Sequence, residues 1–177
     1  MSTAPLIRTL QDIELIESTP LSERDLPSST FELIRRTAQT SPDAPALSFI
    51  LQGTGEETAL RLNYAELLGK ITQTANAFHR LGLRPGKAVS FLLPNLPQTH
   101  YTIWGGEAAG IVNAINPLLD PEHIAELIHA SSSELLVTLA PFPGTDLWDK
   151  VDALRDQLPE LKAILCVDMA NLLPEPQ

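Results

Sequence analysis

Residues 63–93 read NYAELLGKITQTANAFHRLGLRPGKAVSFLL, and the hydrophobic period changes within them. Tyr64, Leu67, Leu68, Ile71, Ala75, Phe78 and Leu81 recur at three- and four-residue spacing, the stripe of an amphipathic helix. Asn63 can cap its first turn, and Gly82 suits the position just past its end. Pro85-Gly86 turns the chain into Ala88–Leu93, an apolar run with little polar alternation. Such a run fits a strand of a parallel sheet covered on both faces.

Working downstream, the alternation repeats. A helix is expected from about Pro97 to Ala109 and a short strand near Ile111–Ile115. Asp120-Pro121 supplies an N-cap with proline at the first helical position, opening a helix that carries Ile124, Leu127 and Ile128. A strand at Glu134–Leu139, a helical stripe of Leu147, Val151, Leu154 and Leu158, and a last strand at Ala163–Val167 complete the series. Short strands alternating with helices imply right-handed crossovers and a doubly wound layer.

Upstream, Ser29 followed by Glu32 matches a capping box, so a helix is expected over about 30–40. The runs Leu47–Leu51 and Thr58–Leu62 flank a Gly-containing loop and read as an antiparallel hairpin. Residues 1–28, broken by Pro5, Pro20 and Pro27, read as an extended or partly helical arm. The expected fold is α/β: a doubly wound, mainly parallel sheet with flanking helices, plus the N-terminal arm and the hairpin. The expected organisation is an arm over 1–28, an α/β unit over 29–168 and a tail over 169–177.

The 177 residues, 44% hydrophobic and 19% charged, can fill a core, and a compact chain of this mass exposes roughly 8,500 Å². The single cysteine, Cys166, excludes a disulfide-stapled domain and lies in an apolar strand where a core position is expected. The net charge of −10 argues against nucleic acid and anionic membrane surfaces as partners. Arg35-Arg36 is the one adjacent basic pair and reads as a solvated helix face. No run approaches the ~18 apolar residues of a membrane span, and no secretory signal is evident, so a cytoplasmic protein is expected.

A search for chemistry finds little. Gly53-x-Gly55 leads into a strand, whereas a phosphate cradle needs a helix N-terminus after its glycines, so a plain turn is expected. His79, His100, His123 and His129 are assigned surface or capping roles. His123 and His129 stand six apart on one helix and point about 240° apart around it. Asp146, Asp149, Asp152 and Asp156 could hold a hard cation, but Lys150 and Arg155 interleave them, and a solvated acidic face is expected. Tyr101 and Trp104 read as packing. Open α/β sheets bind ligands outside the carboxyl ends of their strands. Those ends carry Pro94-Asn95-Leu96-Pro97, Asn116-Pro117-Leu118 and Pro141-Phe142-Pro143-Gly144. These loops offer no acid, base or nucleophile beyond amides. No catalytic, cofactor-binding or metal-binding residue is assigned.

The order of segments nevertheless resembles a known family. Leu62-Asn63-Tyr64-Ala65-Glu66-Leu67 looks like the L-[ST]-Y-x-E-L opening of the AMP-forming acyl-CoA synthetases and related adenylate-forming ligases. Asn63 replaces the usual Ser or Thr and keeps the capping chemistry. Leu81-Gly82-Leu83-Arg84-Pro85-Gly86-Lys87-Ala88-Val89 is similar to the family's L-G-V-x-x-G-D-x-V turn, and Leu92–Gln98 to its L-P-N-S-P-E segment. Glu107–Leu119 resembles its K-A-G-A-x-x-x-P-x-N-P-x region, and Pro121–Leu127 its P-x-E-I-x-x-x-L helix.

The resemblance implies a two-step ligase. ATP and a carboxylic or fatty acid form an acyl-adenylate with magnesium, and the CoA thiol then displaces AMP. The family's Ser/Thr/Gly-rich loop ending in P-K, its aromatic-Gly-x-T-E segment, its hinge Asp and Arg and its C-terminal lysine have no counterpart in these 177 residues. The expectation is therefore the N-terminal part of a large ligase domain, a truncated form or gene fragment. Alone it would be inactive and need no cofactor, and it would self-associate through exposed sheet edges or an open apolar face. ATP, Mg and CoA belong to the parent enzyme. Two other readings stand beside it: a free-standing α/β scaffold or binding domain that works with a partner chain, and a flavodoxin-like nucleotide-binding module.

Overall fold

The computed structural model describes residues 6–51, 53, 55 and 57–169. Six strands and six α-helices follow one another there: α1 Leu10–Glu17, α2 Thr30–Thr40, β1 Pro45–Phe49, β2 Leu60–Asn63, α3 Tyr64–Arg80, β3 Ala88–Leu92, α4 Pro97–Ala109, β4 Ile111–Ala114, α5 Pro121–Ala130, β5 Ser133–Leu139, α6 Leu147–Leu154 and β6 Ala163–Val167. β1 and β2 pair antiparallel as the expected hairpin. The other four strands form one parallel sheet in the order β4-β3-β5-β6. The doubly wound α/β expectation holds.

Local chemistry sets the element starts. Asn63 Oδ1 accepts from the Glu66 N–H at 2.8 Å, and the Glu66 carboxylate accepts from the Asn63 N–H at 2.9 Å. That reciprocal box satisfies two donors that a helix start would otherwise leave open. Gly82 follows α3 with φ of +96°, the left-handed conformation that ends helices and that a side chain would oppose. At α5 the position of Asp120 is as expected, but its carboxylate makes no capping bond. Its oxygen lies 3.9 Å from His123 instead.

β3 is buried along its whole length. Val89 faces α4, with its Cγ1 close to the backbone of Gly106. Ser90 and Leu92, one step along the strand, face the opposite side. There α5 packs beside α6, while α3 packs on α4 on the first side. Helices thus cover both faces, which is why β3 and β5 are apolar without alternation. A second, smaller cluster of Ile34, Leu67 and Ile71 joins α2 to α3, with Tyr101 and Trp104 packed against it, as expected of those two aromatic rings.

Beneath α5 sits a polar knot. Ser90 Oγ and Ser133 Oγ are 2.6 Å apart, both residues fully buried. Asn113 Nδ2 donates to Ser90 Oγ at 2.9 Å and to Ser131 Oγ at 3.1 Å. Every hydroxyl has a partner, so the burial does not leave an orphan group. Ser132, next to the knot, has φ of +48°, the one positive value outside glycine among the described residues. Ser132→Gly removes the Cβ strain of that conformation. It is expected to raise stability by about 0.5–1 kcal/mol, read as a higher urea midpoint with unchanged slope.

A sequence expectation needs correction at Cys166. Cys166 is exposed and not in the core, because among the described residues β6 is the edge of the sheet and has no second neighbour. The arm is partly helical, one of the two forms expected of it. Thr9 and Asp12 form a capping box that starts α1, yet no residue of that helix is buried. The accessible surface, 11,447 Å², exceeds the roughly 8,500 Å² of a compact chain of this mass. The unpacked α1 and the open sheet edges account for part of that excess.

Candidate functional site

The connection from β3 runs through α4 on one face of the sheet, and that from β5 runs through α6 on the other. β3 and β5 are neighbours, so their carboxyl-end loops part and leave a crevice, the switch point of an open α/β sheet. A cavity of about 500 Å³ lies there. Its walls are Pro94, Asn95 and Leu96 after β3, Pro117 and Leu118 after β4, Leu139 and Phe142–Leu147 after β5, with Met169 and hairpin residues Phe49–Leu51 closing it. All three loops singled out from the sequence meet here.

Each wall is held by its own backbone chemistry. Thr99, in the first turn of α4, donates through Oγ1 to the Pro94 carbonyl at 2.6 Å and accepts from the Leu96 N–H at 3.2 Å. Asn116 Oδ1 accepts from the Leu118 N–H at 3.0 Å, closing the turn after β4. Lys150 Nζ, on α6, donates to the Pro117 carbonyl at 3.1 Å and lies 3.4 Å from the Asp146 carboxylate. The lysine therefore ties the β4 loop to α6.

The lining is apolar apart from Asn95, Thr145 and Asp146. Among the described residues no lysine or arginine lines it. A triphosphate carries several negative charges that need cations or a row of free N–H groups, so this set of donors does not fit ATP. An apolar acyl or aryl group fits it. The described residues also hold no cluster of three His, Cys, Asp or Glu able to bind a metal ion.

The remaining sequence candidates fall where expected. Asp152 pairs with Arg155 at 3.1 Å, and Asp146 and Asp152 are both more than half exposed, so the acidic row is a solvated face. His79 meets the Leu83 carbonyl through Nδ1 at 3.2 Å near the end of α3. His100 stacks on Trp104 with centroids 5.3 Å apart, and His129 pairs with Glu160. Arg35 and Arg36 both bond Glu32, whose carboxyl they hold down at about 2, and Arg36 also reaches Asp25 at 2.8 Å. Sequence reasoning missed Gly105, Gly106 and Gly110, where side chains or backbone of neighbouring segments come too close to leave room for a Cβ.

Residues 34–177 match the family model described as AMP-binding enzyme. The chain belongs to that family. Among curated members of the AMP-binding family it is 32% identical over 149 residues to a marinolic acid–CoA ligase from Pseudoalteromonas sp.. That match covers 84% of this chain and 23% of the relative. An acetoacetyl-CoA synthetase from Streptomyces lividans superposes with a TM-score of 0.71 at 27% identity, covering 83% of this chain and 23% of that one. An anthranilate CoA ligase in complex with anthranoyl-AMP gives 0.70 at 19% identity and carries the fold alone. The chain spans about a fifth of the length of the curated relatives it matches. Among the described residues no helix is long and apolar enough to cross a membrane.

Proposed function

We propose that this chain is the N-terminal α/β portion of an AMP-forming acyl-CoA ligase of the cytoplasm. The parent enzyme joins a carboxylic or fatty acid to CoA through an acyl-adenylate, using ATP and magnesium. The observation that supports this best is the family match running through residues whose loops build an apolar crevice at the switch point. In this reading residues 29–168 are the folded unit, 1–28 its arm and 169–177 a tail. The crevice contributes an apolar wall, and the triphosphate is held by family segments that these 177 residues lack.

A chain of this kind needs no cofactor of its own and does not adenylate a carboxylate. Pyrophosphate exchange by the purified 177-residue chain, with a panel of fatty and aromatic acids, is expected to stay at background. Exchange that rises with chain concentration and with one of the acids would overturn the proposal. A second reading, a scaffold or binding domain working with a partner chain, is favoured by one feature. The four-stranded sheet already has helices on both faces and a closed core between them.

A further inference from the structure

The crevice, about 500 Å³, has the size of a small-ligand pocket, and its charge balance is more particular than its shape. Asp146 is the one ionisable side chain among the described residues that line it. Just behind the wall, Lys150 Nζ lies 3.4 Å from the Asp146 carboxylate and 3.1 Å from the Pro117 carbonyl, with its side chain 16% exposed. Two wall residues thus meet the lysine's charge. The other polar groups are neutral: Thr145 Oγ1 accepts from the Leu147 N–H at 3.2 Å, and Asn95 carries an amide. Two helix starts open on the hollow, and neither presents an uncompensated positive end. α4 begins with Pro97, which has no N–H, and the Thr99 N–H is bonded to the Leu96 carbonyl at 3.1 Å. α6 has Asp146 at its cap and Asp149 in its first turn, and these carboxylates offset its dipole.

An anion leaves water for an apolar hollow only where a cation or a set of donors receives it. From this balance we propose that Asp146 sets the selectivity of the crevice. By cancelling Lys150 it leaves the hollow without a free positive charge. The hollow therefore takes the uncharged hydrocarbon or aryl end of a monocarboxylic acid and rejects an acid that carries a second carboxylate at that end. The acid's own carboxylate stays at the mouth, in water. This narrows the substrate class within the acyl-CoA ligase reading, on which it rests. Asp146→Asn would free the Lys150 ammonium for an incoming carboxylate.

The test uses the purified 177-residue chain and N-phenyl-1-naphthylamine, an uncharged fluorescent probe, displaced by decanoate or by decanedioate. Decanoate is expected to displace the probe at a concentration at least about tenfold lower than decanedioate. In Asp146→Asn that ratio falls about tenfold, because the second carboxylate now meets a free ammonium. Asp146→Asn combined with Lys150→Gln removes the charge but keeps a donor for the Pro117 carbonyl, and the ratio returns. Leu118 lines the crevice and is 86% exposed, so a change there spares the core. Leu118→Glu is expected to weaken probe binding about fivefold or more, since it sets a charge against the apolar ligand. Variants are compared at equal folded fraction, read from urea unfolding. Equal displacement by the two acids in the unmodified chain overturns the proposal, as does a ratio that Asp146→Asn leaves unmoved. So does a double variant that keeps the gain, or probe binding indifferent to Leu118→Glu. Those outcomes leave the ligase reading standing, because it answers to the family match and to pyrophosphate exchange. Exchange by the chain, in turn, overturns that reading and leaves the displacement ratio as it is.

Discussion

Gly110→Ala is expected to destabilise the domain by about 3 kcal/mol in urea unfolding. Gly110 ends α4, with its N–H bonded to the Gly106 carbonyl at 2.7 Å, and the chain turns directly into β4. A Cβ there would stand 2.5 Å from the Lys87 carbonyl oxygen and 3.2 Å from both the Arg84 carbonyl and Leu83 Cγ. Two of these three obstacles are backbone, so no rotamer change relieves them. The φ of Gly110, −173°, is ordinary extended backbone, and the restriction is purely one of space. Lys87 O also accepts from the Ile111 N–H at 2.9 Å, the bond that seats β4 against β3. Pushing the two apart loses that bond, worth about 1 kcal/mol, on top of the overlap. A loss under 1 kcal/mol would show that the strands give way more easily than this packing implies.

The effect extends to the crevice. β4 leads into Asn116-Pro117-Leu118, one of the crevice walls, and Lys150 fastens that wall to α6. A displaced β4 therefore changes the site from a position at the other end of the strand. Where a candidate site is defined by the shape of an apolar hollow, such packing positions matter as much as lining residues.

Much of this was legible in the local sequence. The box at Asn63/Glu66, the N-cap at Ser29 (whose expected box stays half-formed because Glu32 turns to Arg35 and Arg36), the proline at the first position of α4 and of α5, and Gly82 past α3 each act within a few residues, so pattern alone locates the helices. The loops that build the crevice could also be named, since they follow apolar strands. Strand order was not legible. Nothing in Ala163–Val167 distinguishes an edge strand from a central one, because both are apolar; the difference lies in what packs beside them. Cys166 was misplaced for that reason. The close approaches at Gly105, Gly106 and Gly110 were invisible for a related one: a glycine inside a helical stripe looks merely permissive until its neighbours from distant segments are known.

Gly106 offers the clearest test of that last point. Gly106→Ala is expected to cost about 2 kcal/mol, even though alanine gains up to about 1 kcal/mol of helix propensity over glycine. A Cβ at Gly106 would lie 2.4 Å from Val112 Cγ2 and 3.1 Å from Val89 Cγ1. Both are β-branched strand residues with stiff side chains, so neither swings aside cheaply. Adding Val112→Ala removes the worse contact and leaves the milder one. The double variant should therefore recover at least half of the loss attributed to Gly106→Ala, a coupling of about 1 kcal/mol or more in a double-mutant cycle. Strict additivity would mean that Gly106 serves the helix by some route other than contact with the sheet. Gly105 makes the matching approach on the other side of α4, where a Cβ would meet Thr74 Cβ at 2.8 Å and the Ile71 carbonyl at 3.0 Å. The two glycines thus let one helix lie close to the sheet and to α3 at once. Since α4 starts at the crevice, from Leu96 and Pro97, this seating also fixes how deep the β3 loop sits in the candidate site.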